Sequence, residues 1–179
     1  MVAKLFGVIV AIILSVPARL PAQVSWNAYS SEVTFKIKNA GLSVTGRFSG
    51  IKTQLKFSPD RLSSSEIKGS AMVATLTTGI NKRDEHLKKE EYFNVDKYPA
   101  IEISSVKLYA RGAGYAGLFS VSLKGRTRQV EIPFEFIQKG SDAEFKGTFT
   151  INRLDYGVGG KSWIMSDDVV INIDVKARE

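Results

Sequence analysis

Apolar and polar residues alternate one by one along most of this chain. Val33, Phe35 and Ile37 alternate with polar neighbours, which is the period of a β-strand with one buried and one solvated face. The connecting segments do not repeat a helical period. The pattern predicts about eight strands. Residues 44–48 continue the pattern that begins at Val33, and the further strand segments are residues 55–57, 67–75, 101–108, 115–123, 130–137, 145–151 and 169–175.

Short glycine-containing segments join the predicted strands. Residues 111–114, 124–126 and 139–142 have the composition of tight hairpin turns. Short hairpins connect antiparallel neighbours, and closing the sheet on itself removes both of its exposed edges. We therefore predict an all-β fold, an eight-stranded antiparallel barrel that forms a single domain.

A short helical insertion interrupts this alternation between residues 79 and 98. Asn81 is followed three positions later by Asp84, which resembles a helix N-cap with a capping-box partner. Arg83 and Leu87 would then share one face of a short helix, since they are four positions apart. The sequence predicts this helix near residues 82–91.

A second exception to the strand pattern is the glycine-rich stretch from residue 157 to residue 168. It contains Trp163, Ile164 and Met165, three large apolar residues in a segment that reads as a loop. Apolar loop residues usually pack beneath something, so we expect this stretch to lie at a barrel mouth or at the rim of a cavity.

Small residues recur at strand positions that should face the barrel interior. An inward glycine leaves room that a larger side chain would otherwise fill. An eight-stranded barrel is just wide enough either to be filled by side chains or to hold one ligand. The pattern leaves both alternatives open, and the positions concerned are Gly46, Gly69, Ala71, Gly117 and Gly147.

The N-terminal segment has the pattern of a secretory signal. Lys4 precedes an apolar run from Leu5 to Val16, which has the length of a signal h-region and is shorter than the roughly 20 residues that span a bilayer. We expect cleavage after Ala22, so that residues 1–22 form the signal and residues 23–179 the folded domain. The resulting localisation would be periplasmic or secreted.

Charge and cysteine content narrow the function classes further. The net charge is +7, and removal of Lys4 and Arg19 with the signal leaves +5 on the remaining chain. Basic residues are spread singly along the sequence, which does not indicate a nucleic-acid partner. The chain has no cysteine, so neither a disulfide nor a thiol-linked lipid anchor is expected.

Catalytic motifs are weak in this sequence. His86 is the only histidine, and neither a nucleophile elbow nor a set of zinc ligands accompanies it. Residues 159–162 resemble the end of a phosphate-binding loop, but that motif requires a glycine where this chain has Asp155. We predict no enzyme activity, no metal and no cofactor; an enzyme that uses His86 stays open as the less favoured alternative.

Three basic features of the sequence could bind an anionic group: one turn and two single arginines. The turn at residues 124–128 could meet an anionic surface or simply be solvated. Arg83 and Arg153 lie among apolar and aromatic neighbours, where a guanidinium needs a carboxylate or another anion. Asp84 and Asp155 are the nearby carboxylates. An internal ion pair and an anionic headgroup both remain open at this point.

Several short motifs recur in a specific order and spacing, at residues 33–38, 44–48, 75–78, 83–87, 92–95, 98–99, 123–127, 151–157 and 167–169. Taken together, they resemble the YceI-like family of exported polyisoprenoid-binding proteins. The resemblance implies a lipocalin-like barrel whose pore holds a long isoprenoid chain with its headgroup near one end. Members of that family often carry histidine where this chain has Asn39, so a pH response at that position would be missing here.

These observations predict a lipid-binding protein that holds a polyisoprenoid or similar amphiphile for transport, storage or sequestration. The alternative is an envelope structural or stress factor with a filled barrel. A transient membrane contact and a homodimer stay open as further interactions. The predicted ligand-binding residues are the tunnel aromatics Phe35, Phe48, Phe119, Phe134 and Phe149, the polar rim residues Arg83 and His86, and the lid residues Tyr92, Phe93 and Trp163.

Overall fold

A computed structural model describes residues 24–179 of the protein. The predicted signal segment, residues 1–22, and its cleavage point lie outside the described residues. No helix in the described part of the chain is long and apolar enough to cross a membrane. The helix α1 spans Asn81–Lys88, and the strands are β1 (Ser25–Asn39), β2 (Leu42–Phe48), β3 (Lys52–Lys56), β4 (Glu66–Met72), β5 (Ala100–Arg111), β6 (Gly114–Leu123), β7 (Arg126–Lys139), β8 (Asp142–Asn152) and β9 (Asp168–Arg178).

The strands β2 and β3 are two halves of one interrupted strand. Val33 of β1 lies opposite Phe48 of β2, and Trp26 of β1 lies opposite Leu55 of β3. The register is therefore the same on both sides of the break at residues 49–51. Counted in this way, the sheet has eight strands, and the pairing of β1 with β9 closes it into a barrel. The predicted eight-stranded antiparallel barrel is confirmed.

The barrel is an antiparallel meander in which neighbours in sequence are neighbours in the sheet. The predicted hairpins join β5 to β6, β6 to β7 and β7 to β8. Lys124 and Gly125 both have positive φ, as required of the two central residues of a type I′ turn. Each strand therefore starts at the barrel end where its predecessor stops.

This alternation sorts the connections between the two ends of the barrel. The β1–β2 turn, the segment 73–99 with α1, the β6–β7 turn and the loop 153–167 all lie at one end, which we call the α1 end. The opposite end carries the β3–β4, β5–β6 and β7–β8 connections. Nearly all the polar residues singled out in the sequence therefore gather at the α1 end.

An aromatic plug, formed by Trp26, Phe57, Tyr115 and Phe136, fills the interior at the opposite end. Phe57 is fully buried, and its ring centroid lies 4.8 Å from that of Phe136 and 5.1 Å from that of Tyr115. Trp26 contacts Phe136 edge to face and donates from Nε1 to the carbonyl of Phe57 at 2.9 Å. The one polar atom of the indole is therefore satisfied within the plug.

The helix α1 forms where it was predicted, but a different hydrogen-bond arrangement holds it. Ile80, not Asn81, precedes the first helical residue, and no side chain caps the N-terminus. The expected capping box is wrong because Asp84 instead accepts hydrogen bonds from Thr77 and Thr78, in the chain before the helix. The helix ends at Lys88, and turns follow in which Phe93 N bonds to the Leu87 carbonyl.

Candidate ligand cavity

The barrel encloses a cavity of about 330 Å³ above the aromatic plug. Residues from all nine strands and from the segment around α1 line the cavity, and most of them are aliphatic or aromatic. The interior is therefore not completely filled by side chains. All five predicted tunnel aromatics lie in its lining: Phe35, Phe48, Phe119, Phe134 and Phe149.

The small inward residues differ in what they contribute to this space. Gly69, Ala71 and Gly147 line the cavity, as expected from their strand parity. At Gly46 the space is already occupied, because an added Cβ would lie 2.2 Å from the Phe35 ring. Gly117 is covered in the same way by Leu108 and Phe119. The open volume thus depends on three of the five positions.

Arg83 brings a cationic group to the cavity at the α1 end. Its Nε donates to the Thr78 hydroxyl at 2.7 Å and its Nη2 to the Thr78 carbonyl at 2.9 Å. Thr78 in turn donates through both its hydroxyl and its backbone N–H to the buried carboxylate of Asp84. Asp84 therefore orients the guanidinium through Thr78, while Arg83 and Thr78 both face the cavity.

The pKa of Asp84 makes this arrangement testable by pH. Burial raises the pKa, but hydrogen bonds from Thr78 and Thr77 outweigh it and place the pKa below its ordinary value of 3.8. Because folding lowers this pKa, the carboxylate stabilises the fold at neutral pH, and the contribution is lost as the pH falls through the folded-state pKa.

We expect Asp84→Asn to lower the free energy of unfolding by about 1–2 kcal/mol at pH 7, since an amide cannot accept all the hydrogen bonds of the carboxylate. Thermal unfolding of both proteins between pH 7 and pH 3 measures the effect. The difference should shrink as the pH falls below 3.8, through the lowered pKa of the folded wild-type carboxylate. Asp96→Asn, at an exposed position, is the control; a gap for Asp84→Asn that stays constant with pH would contradict the assignment.

His86 lies at the cavity rim, where its side chain is half exposed. Its Nε2 lies 2.9 Å from Oε1 of Glu91, and its ring centroid lies 5.0 Å from that of Tyr92. Glu91 is also half exposed. His86 therefore combines a solvated polar contact with a ring that lines the cavity, an arrangement suited to contact with a bound molecule.

The predicted lid residues are only partly brought together. Tyr92 and Phe93 line the cavity, and the Phe93 ring packs edge to face on Phe48 at 6.1 Å. Trp163 does not reach it: the side chain is fully exposed and outside the lining. The expected inward packing of Trp163 is corrected because Met165, two positions later, is the loop residue that points into the cavity.

Arg153 is a buried anchor of the loop 157–168. Its partner is Asp167, at 2.9 Å from Nη2, and not Asp155, which is exposed. The other donors bond to backbone carbonyls: Nε to Ser166, and Nη1 to Val158 and Gly160, each at 2.9 Å. Arg153 therefore forms an internal ion pair, which is one of the two alternatives that the sequence left open for it.

The basic turn between β6 and β7 also holds the α1 end together. Lys124 Nζ donates to the carbonyls of Gly157, at 2.7 Å, and Glu91, at 3.1 Å. It thereby links the loop 157–168 to the segment that follows α1. Burial and the neighbouring charge of Arg126 lower the pKa of Lys124. Lys124 is a structural clamp, whereas Arg126 and Arg128 remain exposed.

Asn39 is a cavity residue that sequence reasoning singled out only as a departure from a family pattern. It is the last residue of β1, pairs with Met165 across an isolated bridge and lines the cavity. Its Oδ1 is buried without a hydrogen-bond partner in the described part of the chain. An acceptor in that state favours a donor group from a bound molecule.

A closed antiparallel barrel with an apolar cavity, plugged at one end and polar at the other, has the architecture of a lipocalin-like barrel. The model of the YceI-like domain matches residues 25–177, and the chain belongs to this family. Metal-binding clusters of three or more histidine or acidic residues are absent from residues 24–179.

Curated relatives and solved structures agree with this family. A UPF0312 protein of Vibrio cholerae is 24% identical over 174 residues, which cover 89% of this chain and 92% of that protein. The structure of Burkholderia cenocepacia BcnA, 24% identical, superimposes with a TM-score of 0.78 over 82% of this chain and 96% of that one. The structure of a polyisoprenoid binding domain from Saccharophagus degradans implicated in plant cell wall breakdown is 13% identical. It superimposes with a TM-score of 0.65 over 86% of this chain and 97% of that one.

Proposed function

We propose that this protein binds a polyisoprenoid or a similar long-chain amphiphile inside the barrel, for transport, storage or sequestration. The observation that carries this proposal is the polarity of the cavity along the barrel axis. Apolar side chains surround it down to the aromatic plug, whereas Arg83, Thr78 and Asn39 lie at the α1 end. A molecule with one long apolar tail and one polar end matches that distribution.

The energetics of binding follow from removal of the tail from water. Burial of apolar surface contributes about 25 cal/mol per Å², so the tail supplies most of the affinity and little of the specificity. Polar contacts at the α1 end would then set the orientation. The tail would point to Phe134 and Phe145, which border the plug, and the headgroup would stay near Arg83 and His86.

The family and the polyisoprenoid-binding neighbour support a binding protein more than an enzyme. The solvent-exposed contact between His86 and Glu91 is accounted for without a catalytic role. We further propose that the protein acts outside the cytoplasm, after removal of the segment ending at Ala22. Both statements extend the lipid-binding proposal, and the same preparation of native protein can be used to test them.

Native mass spectrometry of protein purified from its own envelope, followed by organic extraction, tests the proposal. We expect a complex heavier than the polypeptide and an extractable apolar molecule with a single polar end. The observed mass of the polypeptide itself also reports whether it begins at Gln23. Recovery of no apolar molecule, combined with failure of the delipidated protein to bind added isoprenoid alcohols or phosphates, would exclude this function.

A further inference from the structure

Three large apolar side chains project into solvent at the α1 end. Trp163 is fully exposed, and the exposed fractions of Leu42 and Ile164 are 72% and 65%. Leu42 begins β2, and the other two lie in the loop 157–168. We call these three residues the loop-tip patch. Isolated exposed apolar residues are common on proteins, but a group of them at the end of a barrel indicates a contact surface.

Backbone hydrogen bonds join the two connections that carry the loop-tip patch. The Ala40 N–H donates to the Ile164 carbonyl at 2.6 Å, and the Ser166 N–H donates to the Lys38 carbonyl at 2.9 Å. Between these bonds, Asn39 pairs with Met165. The patch is therefore built on a defined piece of backbone rather than on a single loop.

The same backbone links the patch to the cavity. Asn39 and Met165 line the cavity, while Ile164, next to Met165, points into solvent. Met165 therefore faces the cavity, while Ile164, the residue before it in the same loop, faces solvent. A surface that covers the loop-tip patch would lie directly beside the polar end of the cavity.

Basic residues accompany the patch. Lys38 and Lys161 are exposed, and neither takes part in an ion pair among the residues that the structure describes. Arg126 and Arg128 are exposed at the start of β7, at the same end of the barrel. Of the acids in the loop, Asp167 is bound to Arg153, whereas Asp168 is exposed. Lys38 and Lys161 thus outnumber the one exposed acid of the loop, and this balance favours an anionic partner.

We propose that the loop-tip patch is a membrane-docking surface, which inserts Trp163, Ile164 and Leu42 between the headgroups of an anionic phospholipid layer. The proposal rests on the lipid-binding function, because a lipid carrier needs the bilayer as donor or acceptor of its ligand. Tryptophan favours the membrane–water interface, and nearby lysine and arginine add electrostatic attraction to anionic lipids.

The size of the patch favours a bilayer over a second copy of the chain. A stable protein–protein interface uses roughly 20–30 residues on each side, whereas the patch offers three protruding side chains. Shallow insertion of a few apolar tips, combined with adjacent positive charge, suits reversible contact with a lipid surface. Docking in this way would place the cavity mouth at the headgroup layer, where a ligand could pass without exposure of its tail to water.

The chain offers a direct probe, since it has two tryptophans and only Trp163 is exposed. Tryptophan emission of the full protein is measured during titration with vesicles of phosphatidylethanolamine and phosphatidylglycerol, and binding is quantified by vesicle sedimentation. We expect a shift of the emission to shorter wavelength as Trp163 leaves water. The Trp163→Ser/Ile164→Ser double variant should lose this shift and bind the vesicles about tenfold more weakly.

Val106→Ser is the matched control, because Val106 is 55% exposed on β5, outside the patch. It should bind vesicles as the wild type does. Lys161→Glu should weaken binding only when phosphatidylglycerol is present. Equal vesicle binding by the wild type and the double variant would overturn the proposal, and so would a dimer that the double variant abolishes.

These outcomes are separate from those of the lipid-binding proposal. Vesicle binding is measured without a ligand, whereas ligand content is measured by extraction without vesicles. A double variant that retains its extracted ligand but no longer binds vesicles supports the docking surface alone. A wild-type protein that contains ligand but does not bind vesicles at any phosphatidylglycerol content refutes docking and leaves the lipid-binding function intact.

Discussion

Replacing Gly69 by leucine is expected to leave the barrel folded and to lower its ligand content by at least about tenfold, since a filled cavity excludes an apolar tail. Gly69 lies on β4 and lines the cavity. A Cβ at this position would meet only ordinary contacts, the nearest being the Lys52 carbonyl at 3.8 Å and Ile103 at 3.9 Å. The rest of the leucine side chain would therefore extend into the cavity of about 330 Å³.

Native mass spectrometry of the purified variant measures the loss of ligand, and thermal unfolding reports whether the fold is retained. Ser104→Leu is the control, because it adds the same side chain to β5 outside the cavity lining, at a position that alternates with the lining residue Ile103 and faces the other side of the sheet. It should retain the ligand. Undiminished ligand in a folded Gly69→Leu protein would show that the tail does not pass this level of the barrel.

The second large effect is expected at Arg153. Arg153→Met should lower the free energy of unfolding by about 3 kcal/mol, because three carbonyls lose their donor and a buried guanidinium is removed. For a domain of this size the unfolding temperature should fall by roughly 10 °C. The loop 157–168 should loosen first, since the bonds to Val158, Gly160 and Ser166 hold it from both sides.

Two comparisons show which contacts of Arg153 matter. Asp167→Asn should cost less than a third as much as Arg153→Met, because the Asp167 side chain is 42% exposed and its ion pair is partly solvated. Arg128→Met, at an exposed position of β7, should leave the unfolding temperature nearly unchanged. If Asp167→Asn were as damaging as Arg153→Met, the ion pair and not the carbonyl set would anchor the loop.

Much of the barrel was predictable because one local rule, apolar and polar alternation, determines strands with one buried face. The rule failed where the strand depends on distant partners. Residues 25–32 are mostly polar and were not predicted, yet they form the first half of β1 by pairing with β9, as Ala28 does with Ala177. The shared register of β2 and β3 on β1 could not be predicted either, because the sequence does not indicate which strands pair with each other.

The candidate site was predictable in its apolar part and less so in its polar part. Strand parity is sufficient to place Phe35 or Phe149 inside the barrel, but it does not apply in loops, where Trp163 faces solvent and Met165 faces the cavity. Proximity in the sequence favours Asp155, two positions away, as the partner of Arg153. The partner is instead Asp167, fourteen positions away, because the loop returns to its starting point before β9 begins.

The pairing of β1 with β9 has a consequence for how the molecule folds. Asn27 lies opposite Arg178, so the contact that closes the wall joins opposite extremes of the described chain. Closure over so long a span carries a large loop entropy, and folds dominated by such pairings form slowly, in milliseconds to seconds. Until the final strand is synthesised, β1 and β8 both keep open edges that can pair with other chains. The unfinished barrel therefore exposes two strand edges until β9 pairs with both of them.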